Sequence, residues 1–261
     1  MGVGKRFKYV YNYLMGYPRF GKALSAFFGL LEVPLLDFFE WLHHNTPLDF
    51  YKHLMHGMTK IYGSKVIPLN VSIDSRNLVS PSDEILGIVR RVEKLSIGYC
   101  YCRNKYKNCN NDVWTCIHVG TAESLSELST RMPTKDATVE EVEAIIKKAN
   151  ESGLVHQLIT APSSSYFYVI CNCCPCCCVM LNSAIRYGIQ NTAISSHFII
   201  LKDEQKCSSC GKCVSRCHFG VHSLLKDMLN VDTSKCVGCG LCVSTCPEKA
   251  LTMTRRRGST G

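Results

Sequence analysis

Eighteen of the 261 residues are cysteines, and eight of these form two copies of one spacing near the C-terminus. The spacing is C-x2-C-x2-C-x3-C, first from Cys207 to Cys217 and again from Cys236 to Cys246. Two-residue gaps let one loop wrap three iron corners of a cubane, while the fourth cysteine points toward the other half. The repeat therefore predicts two 4Fe-4S clusters. A zinc ribbon needs only C-x2-C pairs and would leave four of these thiols without a role.

This repeat resembles that of bacterial two-cluster ferredoxins. Carried over residue by residue, the resemblance implies two crossed ligand sets, the first being Cys207, Cys210, Cys213 and Cys246, and the second Cys236, Cys239, Cys242 and Cys217. A proline is expected after the fourth cysteine of each half. Pro247 is present, but His218 takes that place in the first half, so we expect ligation to persist with altered hydrogen bonding near Cys217.

Ten further cysteines lie outside the repeat and do not share its spacing. They form an earlier group, Cys100, Cys102, Cys109 and Cys116, and a dense later group, Cys171, Cys173, Cys174, Cys176, Cys177 and Cys178. Adjacent side chains of an extended segment point to opposite sides, so neighbouring thiols can share a metal only where the chain turns, and Pro175 predicts a turn. Because all-thiolate sets suit iron–sulfur clusters or zinc, we expect the groups to converge on one or two further metal centres, with iron–sulfur favoured.

Other interpretations of these ten thiols stay open. The earlier group could be buried free thiols or a structural zinc site, and the later group could contain a redox-active dithiol. His118 and His156 lie near the cysteines in sequence and could bind a metal or act as acid or base, although packed or surface histidines are commoner. Arg103 could donate hydrogen bonds to cluster sulfurs.

The central cysteines also resemble those of an uncharacterised family of iron–sulfur proteins from strictly anaerobic bacteria and archaea. The resemblance covers roughly residues 65–252 and rests on Cys100-Tyr-Cys-Arg103, Cys109, Cys116, Gly153-Leu-Val-His156, the run from Cys171 to Cys178 and the C-terminal repeat. It implies anaerobic redox work and a cysteine-rich central domain, without a settled substrate. A proline is expected before the cysteine at 116, where Trp114-Thr115 stand here, so the resemblance does not imply the geometry of this loop.

The composition is that of an ordinary globular protein. Hydrophobic residues make up 46% and charged residues 20% of the chain, which argues against a disordered protein. The chain is too long for a small disulfide-held secreted domain and no convincing secretory signal is found, so we predict a cytoplasmic protein. The formal charge of +9 would fall to about +5 with two clusters bound, and no recognition motif supports nucleic-acid binding.

One apolar run, Ala23 to Leu36, raises the question of a membrane segment. It contains Glu32 and Pro34 and is shorter than the roughly 20 apolar residues that a transmembrane helix needs. We therefore predict no transmembrane span, with a core helix favoured and peripheral membrane contact as the alternative.

The predicted fold class is α+β, in four parts. These are a helical N-terminal region (1–64), a cysteine-rich central domain (65–202), a two-cluster module with two short hairpins (203–252) and a basic flexible tail (253–261). Strands are predicted for Lys65 to Ile73, Tyr166 to Ile170 and His197 to Leu201, and helices for Ile85 to Glu93 and Val179 to Tyr187. The clearest helix begins at Thr138, where Thr138 and Glu141 form a capping box, and ends at Gly153.

These observations predict an iron–sulfur electron-transfer protein with two 4Fe-4S clusters and a further thiolate-bound centre, either another iron–sulfur cluster or zinc. Its partner would be a redox protein, namely a ferredoxin-like donor or a reductase subunit. The alternative is an anaerobic reductase (an oxidoreductase) that acts on a small substrate at the central cysteines, with the C-terminal module as its electron wire. No Gly-rich nucleotide-binding loop is present, so a nicotinamide cofactor has no support.

Overall fold

The computed structural model describes residues 34, 37–38, 41–42, 45–58, 63–68, 85–90, 95–119, 133–160, 167–189 and 192–256. Its helices are α1 (Leu48–Met58), α2 (Ile85–Val89), α3 (Tyr101–Tyr106), α4 (Val139–Glu151), α5 (Val179–Tyr187), α6 (Lys212–Arg216) and α7 (Leu241–Thr245). Its strands are β1 (Gly63–Val66), β2 (Leu95–Tyr99), β3 (Trp114–Val119), β4 (Thr134–Ala137), β5 (Val155–Thr160), β6 (Phe167–Cys173), β7 (Phe198–Lys202), β8 (His222–Leu225), β9 (Met228–Val231) and β10 (Leu251–Arg255).

A six-stranded sheet forms the centre of the molecule. Its strand order is β1-β5-β6-β3-β2-β4, and every neighbouring pair is antiparallel. Two small two-stranded sheets, β8–β9 and β7–β10, lie in the C-terminal part of the chain. Helices combined with antiparallel sheets agree with the predicted α+β class.

Helix α4 covers one face of the central sheet. The predicted capping box is present, since the Thr138 side chain accepts the amide of Glu141 and the Glu141 carboxylate accepts that of Thr138. Val142 and Ile146 are fully buried and belong to the same core as the sheet residues Ile97, Ile117, Leu158 and Ile170. Burying each such side chain stabilises the fold by about 1.5–3 kcal/mol.

The opposite face of the sheet carries the cysteines. Side chains alternate between faces along a strand, so Cys116 and His118 of β3 lie opposite Ile117. Cys171 and Cys173 of β6 likewise lie opposite Ile170. The pairing of Ile117 with Ile170 places β3 and β6 side by side at this point. Four chemically active side chains therefore share one face near one end of the sheet.

The C-terminal sheets enclose a second core. It contains Phe198, Ile200, Leu229, Leu251 and Met253 together with cysteines of the repeat. Strands β8 and β9 form one hairpin, whereas β7 pairs with β10, some fifty residues later in the chain. The prediction of two short hairpins was therefore wrong for the second pair, because β10 returns to the strand that enters the module.

Three predicted boundaries also change. Strand β10 runs to Arg255, so residues 253–255, predicted as flexible tail, are paired with β7; residues 257–261 lie outside the described part. Strand β6 continues past Ile170 to Cys173 because Cys171 and Cys173 pair with Gln157 and Val155 of β5. Strand β1 spans Gly63–Val66, and residues 69–73 of its predicted extension lie outside the described part.

Most of the predicted helical N-terminal region, including nearly all of the run from Ala23 to Leu36, lies outside the described residues. Its described part contains α1, whose Tyr51 and Met55 pack with Leu42 and Ile189. Within the described residues, none of the helices combines the length and the apolar character needed to cross a membrane.

Candidate metal centres

The first four-cysteine set of the repeat surrounds a small cavity. Cys207 and Cys210 come from the loop that leads into α6, Cys213 lies in the first turn of α6, and Cys246 follows the end of α7. The cavity has a volume of about 20 Å³, and Cys210 is exposed. Burial raises the pKa of Cys213, and the nearby thiols of Cys207, Cys210 and Cys246 add to this. Four thiols facing one small cavity fit a 4Fe-4S cluster.

The second set lies deeper in the molecule. Burial, together with the nearby thiols of Cys217 and Cys236, raises the pKa of Cys239 to about 12. Burial also raises the pKa of Cys242, and the nearby thiols of Cys239, Cys236 and Cys217 add to this. Cys217 from the first half thus stands with the second loop, and Cys246 with the first. The structure brings together both sets that the resemblance implies, while cluster ligation itself stays a prediction.

Four other thiols form a compact group at the edge of the central sheet. The Sγ atoms of Cys109, Cys174, Cys176 and Cys177 all lie within 4.8 Å of one another. Individual separations are 3.7 Å for Cys109–Cys174, 3.9 Å for Cys109–Cys177 and 3.7 Å for Cys176–Cys177. Zn–S bonds of about 2.3 Å in a tetrahedron require sulfurs about 3.8 Å apart. We call these residues the four-thiol group; its spacing suits a single ion.

The chain around the four-thiol group supports this arrangement. A turn at 175–177 follows β6 and brings Cys176 and Cys177 back beside Cys174. The Asn108 amide donates to the Cys176 carbonyl at 2.9 Å, which ties the loop after α3 to this turn. Burial opposes ionisation of Cys109, but hydrogen bonds from the backbone and side chain of Asn111 and contacts with neighbouring thiols lower its pKa to about 6.

The remaining six central cysteines form a separate set. Each thiol influences the pKa of the next, in the order Cys100, Cys116, Cys171, Cys173, Cys178 and Cys102. We call them the six-thiol set. They come from the end of β2, from β3, β6 and α3, and from the N-cap of α5.

These six thiols line a cavity of about 60 Å³ together with His118 and Arg103, and Cys174 and Cys177 of the four-thiol group border the same cavity. The contact with Cys102, then that with Cys173, lowers the pKa of Cys178, and the amides of Leu181 and Met180 at the start of α5 contribute. Burial lowers the pKa of His118 to about 4, so its ring is neutral at physiological pH. A cavity ringed by thiols and a neutral imidazole is chemically suited to a soft metal or an iron–sulfur group.

Arg103 stands between the two central sets. Its side chain is 1% exposed, and its guanidinium donates to the Asp112 carbonyl, to Thr115 Oγ1 at 2.9 Å and to the Asn172 carbonyl at 2.8 Å. It also lies 3.8 Å from Cys174 Sγ. Among the described residues, the ion pairs do not include a carboxylate partner for Arg103. A buried cation needs an anion nearby, and the acidic groups that act on Arg103 in the described region are thiols of the two sets, namely Cys100, Cys116 and Cys174.

His156 has a structural position. It is fully buried in β5, its Nδ1 bonds Asn172 Oδ1 at 2.5 Å, and Asn172 Nδ2 donates to the Thr115 carbonyl. Burial lowers the pKa of His156 to about 4. Its ring does not line the six-thiol cavity. The structure therefore places His118, and not His156, at the cavity lined by these thiols.

The C-terminal module contacts the central domain through both of its halves. From the second half, Leu241 and Cys239 belong to a packed cluster that also includes Cys171, Cys173 and Cys178. Arg216 donates to the carbonyls of Asn150 and Glu151 at the end of α4, and His218 Nε2 lies 2.8 Å from the Gly153 carbonyl. His218 thus holds the module to α4. Cys239 of the second set therefore borders the core of the central thiols, whereas Cys210 of the first set is exposed.

The structure sorts the ten central thiols differently from the sequence. Cys109 of the earlier group lies with Cys174, Cys176 and Cys177 of the later group. The other three cysteines of the earlier group, Cys100, Cys102 and Cys116, lie with the other three of the later group. Alternation along β6 was the available signal, since it separates Cys171 and Cys173 from Cys174. The roles of Asn172 and of the amides at the start of α5 had no signal in the spacing of cysteines.

Residues 200–253 match the model of a family described as 4Fe-4S dicluster domain. This match contains all eight cysteines of the repeat and does not extend to the central thiols. No match to the chain is found among curated proteins. The C-terminal region is therefore a 4Fe-4S dicluster region, which supports iron–sulfur electron transfer, and the four-thiol group indicates a metal site in the centre.

Proposed function

We propose that this protein is an electron carrier whose two C-terminal 4Fe-4S clusters connect a redox partner protein with a thiolate-bound centre in the central domain. The observation that carries the proposal is that Cys239 and Cys171 pack against one buried cluster, which itself contains Cys173 and Cys178. A predicted ligand of the second cluster therefore borders the same core as the central thiols. When bound, each 4Fe-4S cluster supplies reversible one-electron transfer.

The crossed sets define which residues hold each cluster. Cys207, Cys210, Cys213 and Cys246 would hold the first, and Cys236, Cys239, Cys242 and Cys217 the second. The cavity bounded by the first set and the mutual proximity of the second set support this assignment. Cys210 is exposed, and the next residue, Gly211, lies against the exposed apolar side chain of Leu224 in the neighbouring hairpin. This end of the module is where a partner protein would approach.

The thiol chemistry favours a reducing compartment. All eighteen cysteines lie in the described part of the chain and all are free of disulfides. A secreted protein with eighteen cysteines would be expected to pair them. We therefore place the protein in the cytoplasm of an anaerobic cell.

One observation favours the reductase alternative. A second cavity, of about 190 Å³, lies beside Cys176 and Cys177 and is lined by Asn182, Arg186 and Tyr187. This is room for a small polar molecule next to the four-thiol group. A reductase that used it would, after chemical reduction, be reoxidised by its small substrate alone. A carrier would need a partner protein or an artificial electron acceptor.

The test is a comparison of single variants in anaerobically purified protein. Cys210→Ser changes only the first set, Cys239→Ser only the second, and Ser208→Ala is a matched control in the same loop. We expect each cysteine variant to alter one of two iron–sulfur signals in the EPR spectrum of the dithionite-reduced protein, and the control neither. Spectra without iron–sulfur signals in the reduced wild type would overturn the proposal.

A further inference from the structure

The six-thiol set differs from the four-thiol group in geometry. In the described part of the chain, the four-thiol group is the one set whose ligand atoms all lie close enough together for a single ion. The six thiols instead follow one another around the wall of the cavity. One ion cannot bridge ligands spread in this way, because metal–sulfur bonds are only about 2.3 Å long.

The cavity inside the six-thiol set is also larger than a single ion requires. Its volume of about 60 Å³ exceeds several times the about 10–15 Å³ that holds one water molecule. Thiols on opposite walls can therefore be bridged only by a group of several atoms.

An unpartnered histidine lines this same cavity. His118 is 4% exposed, and its Nδ1 is buried without a hydrogen-bond partner in the described structure. Its Nε2 edge lies against Gly98, where an added Cβ would stand 2.2 Å from the ring nitrogen. Strand β2 thus leaves room for the imidazole beside the thiols. A buried polar atom without a partner is unfavourable unless a ligand satisfies it.

A buried cation also reaches this cavity. The guanidinium of Arg103 lies at the cavity wall with Cys100 and Cys116. Buried free thiols would be neutral and would leave Arg103 without a counter-charge. Thiols that hold a metal are deprotonated, which compensates the buried cation.

We propose that the six-thiol cavity is a third iron–sulfur site, next to the four-thiol group, that takes a cluster of several irons held by thiolates of Cys100, Cys102, Cys116, Cys171, Cys173 and Cys178. His118 lies beside it as a further nitrogen donor. This proposal rests on the proposed function only for the supply of electrons. It extends that function by identifying the central redox centre. The four-thiol group then holds a single ion, zinc or iron.

The experiment measures iron, acid-labile sulfide and zinc per chain in anaerobically reconstituted full-length protein. For the wild type we expect about twelve irons, of which about eight belong to the dicluster region. The double variant Cys116→Ser/Cys171→Ser should lose about four irons and the matching sulfide. The double variant Cys109→Ser/Cys176→Ser is the matched control; it should lose the single ion and keep the sulfide.

The single ion of the four-thiol group also reports on folding. If the first double variant keeps that ion while losing sulfide, the central sheet has folded and the loss is local. Native mass spectrometry of the wild type gives a second measurement, since a third cluster adds a defined mass that needs no variant. About eight irons in the wild type, unchanged in the first variant, would overturn the third site. A zinc ion bound in the six-thiol cavity would also overturn the third iron–sulfur site.

The two proposals fail in different ways. If the dicluster assignment were wrong, Cys210→Ser and Cys239→Ser would leave iron and sulfide unchanged. If only the third site were wrong, these variants would still change iron and sulfide, while Cys116→Ser/Cys171→Ser would not.

Discussion

The guanidinium of Arg103 lies 3.8 Å from the sulfur of Cys174 and shares a cavity wall with Cys100 and Cys116, so one buried cation serves both sets of central thiols. Its other hydrogen bonds go to Thr115 and to the backbone of β6 and of the loop before β3. The same residue therefore joins the segments that present the cysteines and compensates their charge.

Replacing Arg103 with Met should destabilise the protein by about 3–5 kcal/mol, because the thiolates would lose a buried counter-charge and several hydrogen bonds. Arg103→Lys keeps the charge but not the several N–H donors of the guanidinium, so the loss of stability should be intermediate. Urea unfolding and metal content measure both. Arg90→Met is the matched control, since the Arg90–Glu143 pair is at the surface and should contribute less than about 1 kcal/mol. Equal effects of the Arg103 and Arg90 substitutions would contradict this role.

Gly98→Ala should displace His118, because the new Cβ would stand 2.2 Å from its Nε2. We expect a loss of about 1–3 kcal/mol from overpacking, together with reduced iron at the six-thiol cavity. Gly57→Ala provides the comparison. Gly57 lies in α1 with nothing within 4 Å of an added Cβ, so this change should be neutral or stabilising by up to about 1 kcal/mol. A Gly98→Ala protein with full iron content and unchanged stability would refute the close approach.

Arg216→Met should loosen the C-terminal module from α4. The guanidinium donates to two carbonyls at the helix end, and hydrogen bonds of charged groups contribute about 1.5–3 kcal/mol each. We expect faster amide hydrogen exchange in residues 150–153 with iron content retained. Lys206→Met, which removes only an exposed pair with Asp203, should leave this exchange unchanged. Unaltered exchange in the Arg216 variant would show that the module is held elsewhere.

The metal-free protein should lose stability as the pH falls from about 6.5 to about 4. Burial lowers the pKa of His156 to about 4 in the folded state, from 6.5 when unfolded. The unfolded chain therefore binds more protons in this window, and stability is complete only above it. The loss of folding stability across this window that is due to His156 is about 3 kcal/mol. Urea unfolding across this range should show a smaller pH dependence for His156→Gln than for the wild type; identical pH dependence would contradict the assignment.

Local signals in the sequence predicted much of the secondary structure. The capping box at Thr138 and Glu141 depends on four adjacent residues and is present. The turn after Pro175 and the helix from Val179 to Tyr187 depend on similarly short segments and are also found. Such features arise from neighbouring residues, so a sequence is sufficient to predict them.

The grouping of the central cysteines could not be predicted in the same way. Cys109 reaches Cys174 across 65 residues because the loop after α3 meets the turn after β6. Cys116 meets Cys171 because β3 and β6 are neighbours in the sheet order. Both contacts depend on which strands pair, and cysteine spacing contains no information on strand pairing. The burial of Arg103 follows from the same pairing.

The most direct measurement of the central claim is an anaerobic reductive titration of the wild-type protein that counts electrons taken up per chain. Two clusters in the C-terminal region predict reversible uptake of at least about two electrons, with reoxidation restoring the starting spectrum. In Cys239→Ser, uptake should fall and the central centre should be reduced more slowly. Uptake of less than about one electron by fully reconstituted protein, or irreversible loss of iron on reduction, would contradict the electron-carrier account.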